Sequence, residues 1–337
     1  MWTCWIAAVW LLISTVDGSK LFPNLAENAA LYQSLGYEVC PDSAVELALG
    51  RRDECKQLLD IIVQKSRLPK VWPPPTAPPE ALAFNYTLGS RVRVFDWYIV
   101  DGKGEDTSAA VEFPVSLVEA YLERAKGRST EIGYGVQISS VYAALDAHPL
   151  TGACAVHGTQ EPWVEGILFA RNAKSVLTVE YKNLKCTFPD HRCMMPPVWA
   201  QAVADGKEQL VDLAVSYSSW EHDGLGRYGD PVDPFGDLIT TSAVACSIKP
   251  GGLLLLAVPV AKVDCIAWNA HRVYGPVRLP LLLANFEVLG AYWAGQSFHG
   301  DFAGFWEAMP ERCEEQHVTQ PLFVLRTTPH RHGCKAA

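Results

Sequence analysis

The chain has 337 residues, of which 49% are hydrophobic and 19% charged, with a formal net charge of -9. That hydrophobic content excludes a mainly disordered chain, and the length suits one large α/β domain with appendages or two small domains. The acidity argues against nucleic acid or an anionic membrane surface as the main partner.

Residues 1–13 are almost wholly apolar. As a helix rising about 1.5 Å per residue they reach about 20 Å, short of a hydrocarbon core of roughly 30 Å. Val16-Asp17-Gly18 then ends on the small residue that suits cleavage before Ser19, so residues 1–18 are expected to be a signal peptide or a short anchor. No later stretch reaches the roughly 18 uninterrupted apolar residues of a membrane span. Asn85-Tyr86-Thr87 is a glycosylation sequon that fits a lumenal or secreted address, and so do ten cysteines. Once Cys4 leaves with the signal, at least one cysteine stays unpaired. Local spacing offers Cys40 with Cys55, Cys186 with Cys193 and Cys313 with Cys334 as bridges, with Cys154 and Cys246 as buried packing residues. The chain has no C-x-x-C pair and no H-E-x-x-H run, so no metal site is expected.

Pro41-Asp42-Ser43 starts a helix that runs to about Lys65 on the apolar positions Ala44, Leu47, Leu58, Ile61 and Ile62, and residues 19–66 read as an accessory helical segment. Residues 67–83 are proline-rich and predict an extended, semi-rigid spacer. A single domain is expected over 84–330. Arg91–Val100 alternates enough for a strand or hairpin, and Pro114–Lys126 suits a helix.

From about residue 151 strand and helix alternate. Strands are expected at 153–157, 175–181, 210–216, 252–260, 286–293 and 321–327, and helices at 161–170, 236–247 and 280–285. Strict succession implies parallel pairing with right-handed crossovers. The fold class is therefore α/β: a Rossmann-like, mostly parallel sheet flanked by helices, with an antiparallel strand at its end and an N-terminal helical and proline-rich extension.

Ligands of open α/β sheets bind outside the carboxyl ends of the strands. The loop after the first regular strand, His157-Gly158-Thr159-Gln160-Glu161-Pro162, allows a tight turn at Gly158 and free amides at a helix start. Glu180 closes the next strand, near the roughly 20-residue spacing of the acid that receives ribose hydroxyls in dinucleotide folds. The most distinctive stretch, Ser216–Pro231, leaves an apolar strand and is dense in glycine, acids, histidine and arginine.

Within it, Glu221-His222-Asp223-Gly224-Leu225-Gly226-Arg227-Tyr228-Gly229-Asp230-Pro231, with Lys249-Pro250-Gly251-Gly252, Val258-Pro259-Val260 and Asn269-Ala270-His271-Arg272-Val273-Tyr274, resembles the domain of unknown function 268 family over roughly residues 85–328. That family is similar to class I S-adenosylmethionine-dependent methyltransferases. The resemblance implies S-adenosylmethionine as cofactor, held by Gly158, Thr159, Gln160, Glu161, Glu180, Ser218 and Ser219. It places Glu221-His222 where several small-molecule methyltransferases carry a related pair. Methyl transfer requires alignment and one base. His222 is the expected base, with its ordinary pKa near neutrality; Glu221 would orient it and Asp223 hold acceptor hydroxyls. Arg227, Tyr228, Asp230, His271 and Arg272 are the expected acceptor-binding residues, for a small-molecule or glycan acceptor; the alternative is a rigid loop in which Arg227 pairs with Asp230 or Asp233, the glycines make turns, His222 is a satisfied hydrogen-bonding residue, and His271 and Arg272 are structural. The first loop departs from the G-x-G-x-G of better-studied methyltransferases, because Thr159, Gln160 and Glu161 follow Gly158. That departure supports an alternative, a non-catalytic Rossmann-like binding protein of the secretory pathway. A serine hydrolase is disfavoured, since Ser218-Ser219 lacks the G-x-S-x-G elbow.

Overall fold

The computed structural model describes residues 55–68, 71–100, 102, 110–150, 152–300, 302–313 and 319–327. In chain order the elements are α1 (Cys55–Lys65), α2 (Glu80–Tyr86), β1 (Arg93–Asp96), β2 (Val111–Phe113), α3 (Val115–Lys126), α4 (Ser139–Ala147), β3 (Ala153–His157), α5 (Trp163–Ala170), β4 (Ser175–Val179), β5 (Leu184–Cys186), β6 (His191–Met194), α6 (Pro196–Ala204), β7 (Val211–Tyr217), α7 (Gly236–Ala245), β8 (Ile248–Ala257), β9 (Cys265–Trp268), β10 (His271–Val273), α8 (Leu279–Leu283), β11 (Phe286–Trp293), β12 (Gln296–Phe298), α9 (Phe302–Glu307) and β13 (Leu322–Thr327).

Eight strands form the central sheet in the order β12-β11-β13-β8-β7-β3-β4-β6. Strands β6, β4, β3, β7 and β8 are parallel, and β13 runs antiparallel between β8 and β11. This is a class I methyltransferase-like α/β sheet. Ala153 to His157 is buried at every position, as a parallel strand covered on both faces must be. One core lies on the side of α1, α6 and α7 and the other on the side of α4 and α5. The chain leaves β3 toward β4 on one side and returns as β7 on the other, so the strand order reverses at β3. A crevice opens at such a switch point.

The strand expected over 252–260 runs instead from Ile248 to Ala257, since Ile248 pairs with Val211 before a register shift and the run rejoins β7 at Leu253. Beyond it, Val258 to Val260 lies outside the strand, with one isolated bridge from Val260 to Tyr274. Strands β5, β6, β9 and β10 carry no expectation from the sequence, because stretches of three or four mixed residues show no period; the nine-residue helix α6 carries none either.

Two readings of the N-terminal half need correction. Helix α1 is no accessory: it buries Leu58 and Leu59, and Cys55 is bonded to Cys246 on the cap of α7. The proline-rich segment is no free spacer, since Pro75 O accepts a 2.8 Å bond from the Trp268 indole and Pro74 O accepts one from the Tyr98 hydroxyl. Helix α2, which starts inside the expected linker, sets Tyr86 edge-on to Trp268 at 5.0 Å between ring centres.

The disulfides follow the fold rather than local spacing. Cys186 pairs with Cys193 as expected. Cys55 pairs with Cys246 rather than Cys40, and Cys313 with Cys265 rather than Cys334. Cys246 is thus a bridge half and not a packing residue, whereas Cys154 is a buried free thiol. Cys40, Cys334 and the expected signal or anchor at 1–18 lie outside the described residues. Among the described residues no helix is long and apolar enough to cross a membrane.

Candidate functional site

A cavity of about 490 Å³ opens at the switch point, at the carboxyl ends of β3, β4 and β7. Its first wall is the turn after β3. Gly158 has φ +78°, and a Cβ there would lie 1.8 Å from the Ser219 hydroxyl, so only glycine lets the two loops meet. The Thr159 amide donates to Glu180 Oε2 at 2.8 Å, and the Tyr181 and Lys182 amides donate to Oε1 at 2.7 and 3.3 Å. Burial raises the Glu180 pKa against these bonds. The Thr159 hydroxyl donates to Glu161 O at 2.5 Å, and the Glu161 carboxylate accepts from the Tyr121 hydroxyl. Gln160 lines the cavity beside them.

The second wall follows β7. Ser218, held at φ +52°, donates to Glu221 Oε1 at 2.8 Å, and Gln320 Nε2 donates to the Ser218 hydroxyl at 2.7 Å. Glu221 is 1% exposed, and burial pushes its pKa up to about 7. The His222 Nδ1 lies 2.5 Å from Ala270 O. A carbonyl only accepts, so Nδ1 carries the proton and Nε2 keeps its lone pair. That Nε2 lies 3.7 Å from Glu221 Oε1. Burial pushes the His222 pKa down to about 3, away from the neutrality expected of it, and the Glu221 carboxyl up toward it.

Several expected acceptor contacts are engaged in building the loop instead. Arg272 is fully buried. It donates to the carbonyls of Glu221, Asp223, Asp233 and Pro234 and lies 3.7 Å from Asp237, so it cannot clamp an acceptor. Asp230 Oδ2 accepts from the Gly224 and Gly226 amides at 2.6 and 3.1 Å, and Oδ1 from the Tyr228 amide at 3.2 Å. It borders the cavity, yet its carboxylate works as the hub of its own turn. Asp223 also borders the cavity, and burial raises its pKa well above the usual carboxylate range. Arg227 and Tyr228 stand at the cavity wall, with the guanidinium 5.0 Å from the ring centre. His271 sits behind His222, 6.4 Å between ring centres, and outside the cavity lining.

The sequence reading missed the aromatic wall. Tyr217 packs 5.0 Å from Tyr134 and 5.1 Å from Trp163. His157, with its pKa pushed down to about 3 by burial, lies between Trp199 and Trp220. Ile62 of α1 closes another side. Trp163 in the first turn of α5 was a usable signal; Tyr134, Ile62 and Gln320 lie too far along the chain to have given one.

A family described as Caenorhabditis protein of unknown function, DUF268, matches residues 152–327, which starts later than the resemblance read from the sequence. No curated protein matches the chain. Among solved structures, the N-methyltransferase NodS from Bradyrhizobium japonicum with S-adenosyl-L-homocysteine is similar at 9% identity and a TM-score of 0.33, over 61% of this chain and 98% of that one. A S-adenosylmethionine-dependent methyltransferase from Clostridium acetobutylicum is similar at 9% identity and a TM-score of 0.34, over 62% and 98%. Coclaurine N-methyltransferase is similar at 10% identity and a TM-score of 0.35, over 90% and 100%.

The residues at the crevice fit an adenosylmethionine-sized ligand with one local difference. The volume lies within the roughly 300–1,000 Å³ of small-molecule sites. Glu180 has about four acceptor positions, of which three are used, leaving one on Oε2 for a ligand hydroxyl. Over Gly158 the Ser219 side chain takes the nearest space, so a ligand's polar end meets a hydroxyl there rather than bare backbone.

Proposed function

Given that this chain belongs to the Caenorhabditis family of unknown function DUF268, we propose that it is a S-adenosylmethionine-dependent methyltransferase of the secretory pathway, acting on a hydroxyl or carboxyl of a small-molecule or glycan acceptor. One observation carries the reading. A single cavity joins Gly158 and Glu180, at the ends of β3 and β4, to Ser218 and His222 beyond β7.

Gly158, Thr159, Glu180 and Ser219 would hold the cofactor, which supplies an electrophilic methyl group when bound. The chain's own residues do the rest. His222 Nε2 accepts a hydrogen bond from a neighbouring, non-reacting hydroxyl of the acceptor and so orients it. Ser218 takes the acceptor proton as it passes its own to Glu221 Oε1, which lies behind it. A carboxyl titrating near 7 suits this task. The aromatic wall excludes water from the acceptor.

Calorimetric titration with S-adenosylmethionine and S-adenosylhomocysteine tests the reading. Micromolar binding that is lost in Glu180→Ala is expected; no binding at millimolar ligand overturns it. The second reading, a non-catalytic binding protein, is favoured by the Ser219 side chain against Gly158 and would then stand. Three disulfides among the described residues support the secretory address. Glycosylation at Asn85 is expected as a mass loss on enzymatic deglycosylation of the secreted protein, absent in Asn85→Gln.

A further inference from the structure

A second polar cluster lies at the β6 edge of the sheet, apart from the cavity, and the proposed transfer uses none of it. Its innermost member is Glu165 on α5, a fully buried carboxylate. Glu165 Oε1 accepts a 2.7 Å bond from the Thr178 hydroxyl on β4, while Oε2 has no partner among the described residues. Thr178 Oγ1 is in turn 2.9 Å from His191 Nε2 on β6. The hydroxyl has one proton and gives it to Glu165, so the imidazole must be the donor to Thr178 and carries its proton on Nε2.

That bond pattern fixes the other nitrogen. His191 Nδ1 is left as a bare lone pair on a side chain only 5% exposed, with no hydrogen-bond partner among the described residues. A buried acceptor without a donor costs on the order of 1–3 kcal/mol, so the position calls for a ligand. A ring nitrogen of His191 and the sulfurs of Cys186 and Cys193 lie within 4.8 Å of one another. Donor atoms around one tetrahedral zinc, at bond lengths of about 2.0–2.3 Å, lie roughly 3.5–4 Å apart, so small adjustments bring all three onto one ion. The rings of Phe113 and Phe169 pack beside the imidazole, with centres 6.5 and 6.0 Å away, and keep that side dry. Carboxylate, hydroxyl and histidine in series is the outer-shell arrangement that sets the tautomer and orientation of a metal-bound imidazole.

We propose that Cys186, His191 and Cys193 form a redox-gated site for a thiophilic divalent cation of the zinc type, closed while the two cysteines are bonded and opened by a dithiol reductant. The dithiol gives two electrons and two protons to the Cys186–Cys193 bond; the bond breaks to two thiols and the reductant becomes a cyclic disulfide. Zn2+ then displaces both thiol protons, which go to solvent, and binds two thiolates and neutral His191 as a complex of zero net charge. A fourth position stays open to water. Both cysteines are half-buried, so the reductant can reach them, and the site does not depend on the methyltransferase reading. Glu165 and Thr178 are positioning residues.

The test uses the folded chain, oxidised and dithiol-treated, titrated with Zn2+ against a chromophoric chelator and separately with Co2+. Uptake of one Zn2+ per chain only after reduction is expected, with thiolate-to-cobalt absorption in the Co2+ form and zinc protection of Cys186 and Cys193 from alkylation, read by peptide mass mapping. Glu165→Gln, which keeps the shape, is expected to weaken zinc affinity about 10- to 100-fold without removing the absorption. The other bridges are also reducible, so Cys186→Ser/Cys193→Ser is the control: it must lose uptake while its circular dichroism matches the reduced parent. Uptake that persists in that variant overturns the proposal. So does a reduced, folded chain that takes up no Zn2+, or Co2+ absorption that is unchanged in His191→Ala.

Discussion

The two loops that face each other across the cavity are both polar, yet they are held in opposite ways. The 157–161 turn is held from outside by Glu180, which takes its Thr159 amide and keeps an acceptor position to spare. The 216–235 loop is held from within and beneath: Asp230 takes three of its amides, and Arg272 takes four of its carbonyls. Polarity at a strand end shows where a site lies. Only the polar atoms that remain uncommitted after folding can show what it does.

Substitutions can break this contrast. The largest effect is expected from Arg272→Ala, which orphans those carbonyls and removes a buried charge near Asp237; chemical denaturation should show a loss of about 3–5 kcal/mol. Little loss would mean that the second loop stands without its arginine.

Next in size is a pH effect at Glu221. Its pKa is raised in the folded state from 4.5 to about 7. The stability it contributes is therefore full below about pH 4.5 and is lost as pH rises through about 7, by up to about 3 kcal/mol. Glu221→Gln should remove that slope, read as Tm at pH 5 and pH 8. The buried histidines with lowered pKa values, His157 and His222, act with the opposite sign and cost stability below about pH 6.5.

Gly158→Ala should cost about 2 kcal/mol from its left-handed backbone and its overlap with Ser219. Adding Ser219→Gly should return part of that loss, so a double-mutant cycle should show coupling between the loops. The smallest change expected is Glu180→Gln, about 1 kcal/mol in stability but a loss of ligand binding in calorimetry. Equal effects on stability from Glu180 and Arg272 would erase the distinction between the two loops.

The sheet was legible because Ala153–His157 and the leucines of β8 are apolar runs bounded by turn residues and Phe286–Trp293 is mostly apolar. The edge strand β6 was not, because His191-Arg192-Cys193-Met194 has no period and owes its pairing to β4. In the site, Gly158, Glu180 and His222 stood out by spacing and type. Arg272 could not be assigned from sequence, because an arginine that caps carbonyls from below reads there like one that reaches for a ligand. The histidine's pKa was equally hidden, since it depends on burial that residues from distant segments provide.

The Cys55–Cys246 bond closes a ring of backbone whose ends are 191 positions apart in sequence. Every residue that lines the cavity is carried on that ring. A protease that nicks the ring once, anywhere between the two cysteines, therefore yields no separate fragments until a reductant is added. On a gel the nicked protein runs as one species without thiol and as two with it, so intactness measured under non-reducing conditions says nothing about whether the backbone around the cavity is whole.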